Sequence, residues 1–309
     1  MTSVTQMMIL VIIMFLGHLT ERKHIFSDHI QNDLSQMITV VTSPALILST
    51  INASGELGTK SDALEFLVIA SLTWIIFIIA SFFVPRIIVV QRATEGTVQF
   101  LTVFQNNGFM GLPLILALYG TGAMFYASLI NIPSNLFVYT FGVWVMGRHS
   151  EHNIDFVQLT KRLFLSPGFL AGLASLICFL MDWRLPSLIA ETTTVIGGAT
   201  TPLAMMVIGM AIAHSNIRQA FSNAKLYALM FIKMIALPII IFLLFRNFID
   251  NAIILSTLIV IIATPGPAVA TPYALLYGGD VQFSTNYVFL STLVSVVTIP
   301  LLINLLGLQ

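Results

Sequence analysis

Charged residues are scarce in this sequence, and their scarcity decides its class. Asp, Glu, Lys and Arg make up 8% of the 309 residues, whereas soluble domains carry about 25%. Hydrophobic residues make up 57% of the chain, and the mean hydropathy is +0.96. A surface with so few charges must face lipid, so the composition predicts an integral membrane protein. The 13 basic and 13 acidic residues balance, which gives no reason to expect a nucleic-acid partner.

Several chemical motifs are missing as well. The single cysteine, Cys178, excludes an internal disulfide and a cysteine metal site. There is no His-Glu-x-x-His helix, no Gly-x-Ser-x-Gly elbow and no phosphate-binding loop. We therefore expect no enzyme activity, no cofactor and no ATP-driven step within this chain. Residues 1–6 contain no Lys or Arg, so we expect the first apolar run to be kept as a span rather than cleaved as a signal peptide.

What the sequence does contain is a series of ten apolar segments, each about as long as a bilayer-spanning helix. They cover residues 3–20, 33–53, 64–84, 96–119, 122–146, 163–181, 188–213, 224–245, 252–277 and 283–307. The polar stretch 148–160 separates two sets of five. The predicted organisation is therefore a first five-helix repeat over 1–147, a short cytoplasmic linker over 148–160 and a second repeat over 161–309.

The basic residues predict the orientation of these segments. The connections after segments one, three, five and seven hold nine Lys and Arg residues, and those after two, six and eight hold three. The positive-inside rule therefore places the odd-numbered connections in the cytoplasm. Both termini then lie outside, and we expect a multi-pass protein of the plasma or inner membrane. The thirteenth basic residue, Lys233, lies inside segment eight.

The two halves resemble each other in their order of motifs. Ser-Pro-Ala-Leu at 43–46 in segment two matches Thr-Pro-Leu-Ala at 201–204 in segment seven. Segments four and nine each carry markers seven residues apart, Asn106 and Pro113 in one and Pro265 and Pro272 in the other. Because five is an odd number, the second half must be inverted relative to the first. This pattern predicts the inverted repeat that is common among transporters.

Segments four and nine are poor candidates for continuous helices. Residues 106–113 hold two amides, two glycines and a proline, and residues 264–272 hold three prolines. Irregular backbone at membrane depth is tolerated where protein or a wet cavity satisfies its polar groups, so the breaks predict a binding site. The alternative is a pair of kinked helices without a ligand. The predicted substrate-binding residues are Asn106, Asn107, Gly108, Gly111, Pro113, Thr264, Pro265, Gly266, Pro267, Thr271 and Pro272.

The chemistry of such a site favours an anion. The half-helix after each break presents N–H groups and a positive dipole end, which suit a carboxylate. Two ionisable residues are candidates for a substrate or coupling role, with a proton or sodium as the coupling ion. Lys233 could instead reach the membrane surface by snorkelling, and Glu95 could simply stabilise a helix start.

Residues 106–113, Thr201 to Gly209 and the proline-rich ninth segment resemble the auxin efflux carrier family, which includes plant PIN carriers and bacterial malate and malonate permeases. Gly17 and residues 43–46 add to the resemblance. It implies two inverted five-helix repeats with crossed broken helices four and nine. It also implies a scaffold of segments one, two, six and seven, a moving domain of the other six, an elevator-like motion and a homodimer. The short linker is closer to the bacterial permeases.

These observations predict a secondary transporter of a small organic anion, a mono- or dicarboxylate such as malate or malonate. Two alternatives stay open. The first is a carrier of a lipophilic weak acid of the auxin type. The second is a membrane sensor that binds a solute without moving it.

Overall fold

The computed structural model describes residues 3–27, 29–53, 58–148, 161, 163–213 and 221–308. Apart from Arg148, the predicted linker lies outside these ranges. The described residues are mainly helical, and none of them forms a strand. The predicted all-helical class is therefore confirmed.

Each of the ten predicted segments coincides with helical structure. The helices are Ser3–Arg22 (segment one), Ile30–Met37 and Ser43–Ser49 (two), Lys60–Ser81 (three), Arg92–Val103 (four), Leu112–Phe137 and Val143–Gly147 (four and five), Pro167–Leu180 (six), Ser187–Gly198 and Thr200–Ala213 (seven), Ala224–Phe231 and Leu237–Phe245 (eight), Ala252–Ile262 and Ala270–Tyr277 (nine) and Val281–Leu306 (ten). Within Leu112–Phe137, Gly120 has φ 80° and ψ −170°, which is not helical. This glycine divides segment four from segment five, as the sequence predicts.

Length and composition identify five stretches of the described chain that could cross a membrane. They are Lys60–Ile87, Arg92–Gly147, Ser187–Ala211, Ala224–Phe245 and Val281–Leu306. Pro167–Leu180 and Ala252–Ile262 are shorter apolar helices. The multi-pass class is supported, whereas ten crossings and the inverted repeat stay predictions.

Three segments contain a π turn, which is a wider helical turn, just before a proline. A proline lacks an N–H and crowds the carbonyl four residues before it. A π turn, whose hydrogen bonds reach one residue further back, accommodates this gap and often marks functional sites. The three pairs are Ile38–Thr42 with Pro44, Asn107–Gly111 with Pro113, and Ile232–Ala236 with Pro238.

Polar contacts between the connections agree with successive connections lying at opposite ends of the helix bundle. Lys60, before segment three, forms an ion pair with Asp182, after segment six. At the other end, Glu95 and Arg148 pair at 2.8 Å, and Thr94 Oγ1 donates to Asp280 Oδ2 at 2.8 Å. The connections after segments two and six therefore meet, and so do those after three, five and nine.

The helices pack in two groups. In the first group, segment one packs against seven, seven against two, and two against six, while the other six segments form a second group around the breaks. Segment six also packs against the helix Leu112–Phe137 of the second group. The tightest contact in the first group lies between segments one and seven. A Cβ atom added to Gly17 would lie 2.2 Å from the Met206 carbonyl oxygen, and one added to Gly209 would lie 1.9 Å from that of Met14. Backbones can approach this closely only where both helices carry glycine.

The orientation can be tested by cysteine labelling of intact cells. In a Cys178→Ser background, we expect Asp182→Cys to react with a membrane-impermeant maleimide, because the connection after segment six is predicted to lie outside. Lys225→Cys, after segment seven, should react once the membrane is permeabilised. Labelling of Lys225→Cys in intact cells would reverse the predicted orientation.

Candidate solute-binding site at the crossing of the two breaks

The breaks in segments four and nine are in direct contact. The first separates Val103 from Asn107, and the second separates Ile262 from Ala270. The Asn106 N–H donates to the Pro265 carbonyl oxygen at 2.9 Å. The sequence predicts each break separately, and the structure brings them together as one site.

Asn106 organises the start of the half-helix that follows the first break. Its side-chain Oδ1 accepts from the Phe109 N–H at 3.3 Å. Its carbonyl oxygen accepts from the Gly111 N–H at 2.8 Å and from the Met110 N–H at 3.3 Å. The expectation that this half-helix presents free N–H groups is therefore wrong for Phe109, Met110 and Gly111, because Asn106 caps them. The Asn106 Nδ2 group has no partner among the described residues.

The second break leaves more of its backbone donors uncommitted. The Gly266 N–H donates to Ser291 Oγ at 3.1 Å, and the Ala270 N–H donates to the Pro267 carbonyl oxygen at 2.9 Å. The N–H groups of Ala268 and Val269 have no partner among the described residues. They precede the helix Ala270–Tyr277, so they lie at its positive end.

A cavity of about 190 Å³ lies against the first break. Among the described residues, its lining contains polar groups from segments two, four, five, six and nine and no Asp, Glu, Lys or Arg. The polar lining residues are Thr39, Ser43, Gln105, Asn106, Asn107, Asn131, Ser134, Asn135, Tyr139, Ser166 and Tyr273.

Two amides on this cavity have groups without a protein partner. Asn107 Nδ2 donates to Ser134 Oγ at 3.0 Å, and Asn107 Oδ1 is buried without a partner. A hydroxyl group both donates and accepts, so either end of the Asn107 amide can bond Ser134, and the other end is then unpaired. Asn131, 9% exposed, has its Nδ2 buried without a partner. A solute in this cavity can therefore complete hydrogen bonds that the protein leaves open.

Sequence reasoning missed the contribution of segment five. Asn131, Ser134 and Asn135 are spaced three and four residues apart, so they share one face of the helix. Three polar residues on one face of an otherwise apolar segment were the available signal.

A second cavity, of about 440 Å³, also lies against the crossing. No Asp, Glu, Lys or Arg from the part of the chain that the structure describes lines it. The two cavities share Thr39, Asn106, Phe109, Ala268 and Val269 in their linings. The second adds polar residues from segments nine and ten, namely Thr271, Thr285 and Thr292.

The predicted site residues thus fall into two groups. Those that line a cavity are Asn106, Asn107, Gly108, Pro267, Thr271 and Pro272. Gly111, Pro113, Thr264, Pro265 and Gly266 line neither cavity. Members of the second group shape the breaks: the Thr264 hydroxyl donates to the Ile261 carbonyl oxygen at 2.7 Å, and a Cβ atom on Gly266 would lie 2.8 Å from the Tyr287 ring.

Lys233 is fully buried, with 0% of its surface exposed. Its Nζ donates to Gln105 Oε1 at 3.1 Å and to the Ile262 carbonyl oxygen at 3.4 Å. The snorkelling interpretation is therefore wrong. Lys233 lines neither cavity, although Gln105 connects it to the first.

Glu95 also lies away from the cavities. Its carboxylate accepts from Arg148 at 2.8 Å, and both side chains are partly exposed. This ion pair joins the start of segment four to the end of segment five. The geometry supports a positioning role for Glu95 at that end of the bundle.

Comparisons with known proteins agree with a membrane carrier. The chain matches the family described as membrane transport protein over residues 2–303. An uncharacterized transporter of Methanothermobacter thermautotrophicus is 23% identical over 309 residues, which cover 97% of each chain. An uncharacterized transporter of Methanocaldococcus jannaschii is 20% identical over 301 residues, 95% of this chain and 96% of its own. Neither name states a solute. The chain belongs to the membrane transport protein family, the auxin efflux carrier type that its sequence resembles.

Proposed function

We propose that this protein is a secondary transporter of a small organic anion, bound where the two broken segments cross. The observation that carries the proposal is the direct contact between the breaks, beside cavities that hold polar groups but no charged side chain of the described residues. Broken helices that meet at membrane depth are the usual construction of a solute site in secondary transporters.

The electrostatics of the crossing favour an anion over a cation. The unpaired N–H groups of Ala268 and Val269 and the Asn131 amide are donors that a carboxylate can use. The positive end of the helix Ala270–Tyr277 adds to this preference. A bound organic cation would meet these donors, and no carboxylate of the described residues lines either cavity to balance it.

The number of charges on the solute follows from the same linings. A dianion such as malate or malonate needs a partner for its second carboxylate, and no Lys or Arg of the described ranges lines either cavity. Lys233 is held by Gln105 and Ile262 instead. The geometry therefore favours a monocarboxylate within the proposed class.

A lipophilic weak acid is the second candidate, and one observation favours it. The smaller cavity has an extensive apolar and aromatic wall as well as its amides. This wall includes Phe104, Phe109, Leu112, Val138 and Tyr273. Such a wall suits an aromatic or aliphatic body attached to one carboxylate.

The packing supports an elevator-like motion. The proposed scaffold is joined by contacts of segment one with seven, seven with two, and two with six, while the breaks and most of both cavities' lining belong to the other group. Sliding of the second group against the first would carry the site across the membrane. A sensor would not need such a division, and uptake into sealed vesicles separates the two functions.

The charge of the solute is tested by competition in those vesicles. Organic acids are screened for uptake, and each transported acid is compared with its neutral amide. We expect the amide to compete at least about tenfold more weakly, because it loses charge-assisted hydrogen bonds. Equal competition by acid and amide would overturn the anion site while leaving transport itself in place.

A further inference from the structure

The buried amine of Lys233 lies between the carbonyl end of one half-helix and the side chain of Gln105 from the other break. The Ile262 carbonyl oxygen that it contacts belongs to the last residue of the helix before the second break. Gln105, its other partner, lies two residues beyond the helix that precedes the first break. One side chain therefore joins the two chain segments that enter the crossing.

No acidic side chain balances this charge. Among the described residues, Lys233 has no carboxylate within ion-pair distance. The Ile262 carbonyl lies at a helix C-terminus, which is equivalent to roughly half a negative charge, and Gln105 Oε1 adds a second oxygen dipole. The Phe77 ring, with its centroid 4.4 Å from Nζ, adds its negative face. The surroundings are thus those of a monovalent cation site built from dipoles.

The local backbone explains how the ammonium reaches this place. Lys233 lies in the π turn Ile232–Ala236, five residues before Pro238. A π turn inserts an extra residue and displaces the side chains that it carries. Segment eight also contacts the helix Arg92–Val103 through this turn. The proline therefore fixes the turn that holds the lysine against both breaks.

In transporters with broken helices, unwound carbonyls and half-helix C-termini commonly coordinate a dissociable sodium ion or proton. We infer that Lys233 is a built-in cation of the crossing, which occupies the position between the Ile262 helix end and Gln105 that a dissociable monovalent cation would otherwise take. The breaks are then held together without sodium. This inference goes beyond the proposed function, because it holds whichever solute is carried.

The ammonium also orients a group of the candidate site. Because Lys233 donates to Gln105 Oε1, the Gln105 Nε2 group is turned away from it, and that nitrogen is buried without a partner. Gln105 lines the smaller cavity. The Lys233 side chain therefore fixes the orientation of the Gln105 amide, and Nε2 is left as the donor.

The test removes the ammonium and supplies it again from solution. Lys233→Ala deletes a fragment that propylammonium can replace. Wild type, Lys233→Ala and the control Lys225→Ala, which removes an exposed lysine at the start of the same segment, are purified in detergent and melted in N-methyl-D-glucamine buffer. Each is then melted with propylammonium, with sodium or with the neutral analogue 1-propanol.

We expect Lys233→Ala to melt on the order of 5 °C below wild type. Propylammonium or sodium should restore about half of this loss or more, while 1-propanol should not, and the other two proteins should change little. The inference would be overturned if Lys233→Ala melted at the wild-type temperature, if 1-propanol rescued it equally, or if cations affected all three proteins equally.

If Lys233→Ala does not fold, Lys233→Met decides, because it keeps the volume of the side chain and removes its charge. Melting below wild type supports the built-in cation, and melting at or above wild type refutes it. No solute is needed, so this result is independent of the proposed transport activity.

Discussion

Replacement of Gly209 by alanine is expected to remove most of the folded protein from detergent extracts. The new Cβ atom would lie 1.9 Å from the Met14 carbonyl oxygen and 2.8 Å from the His18 nitrogen. Both are backbone atoms, so no side-chain rotation relieves the clash, and segments one and seven must separate. Overpacking of this kind costs about 3 kcal/mol, a large part of the stability of a typical domain.

The same segment offers a matched control for this substitution. Gly198 also lies in segment seven, and a Cβ atom there would meet nothing within 4 Å. Gly198→Ala should therefore give normal yield on size-exclusion chromatography and a normal melting temperature. Similar yields and melting temperatures for Gly198→Ala and Gly209→Ala would show that the close crossing of segments one and seven does not support the fold.

Asn107→Ala is expected to lower solute uptake about 10- to 100-fold with little change in melting temperature. Asn107 is 5% exposed, and one end of its amide has no protein partner beside the cavity. Removal of a buried hydrogen-bonding group that a solute completes costs roughly 1–3 kcal/mol of binding. Initial uptake rates in vesicles with equal amounts of folded protein measure this loss.

In that experiment, Ser134→Ala distinguishes solute binding by Asn107 from a structural role of Asn107. The Asn107–Ser134 hydrogen bond is lost in both variants, but the amide stays in Ser134→Ala. If Asn107 contacts the solute, Ser134→Ala should lose only a few-fold of uptake. Equal losses in the two variants would assign Asn107 a purely structural role.

The breaks were predictable because their cause is local. Pro265 cannot continue a hydrogen-bonded helix, and Gly266 beside it lowers the cost of irregular backbone. Pro113 marked the region of the first break, although the break itself lies at residues 104–106 and the π turn accommodates the proline. The division at Gly120 was predictable for the same reason. Which backbone atoms of the two breaks meet depends on the packing of distant segments, and the Asn106–Pro265 contact could not be read from either motif alone.

The roles of individual side chains were harder to predict, since they depend on tertiary neighbours. Asn106 carries a donor and an acceptor that could bind a solute, yet its Oδ1 caps a half-helix. Lys233 lies close enough to a segment end for snorkelling, but the π turn before Pro238 directs it inward. The contribution of Asn131 was hidden within an apolar segment, because one polar residue there has many structural explanations.

The unbalanced ammonium of Lys233 has an electrical consequence. In a carrier of the proposed kind, it would travel with the crossing, and helix dipoles carry no net charge to cancel it. The empty site would then move one positive charge through part of the membrane field, while a site loaded with a monoanion would move none. A potential of 100 mV acts on a full elementary charge with about 2.3 kcal/mol. An inside-negative voltage would therefore hold the empty carrier facing the cytoplasm and leave the loaded step almost unaffected.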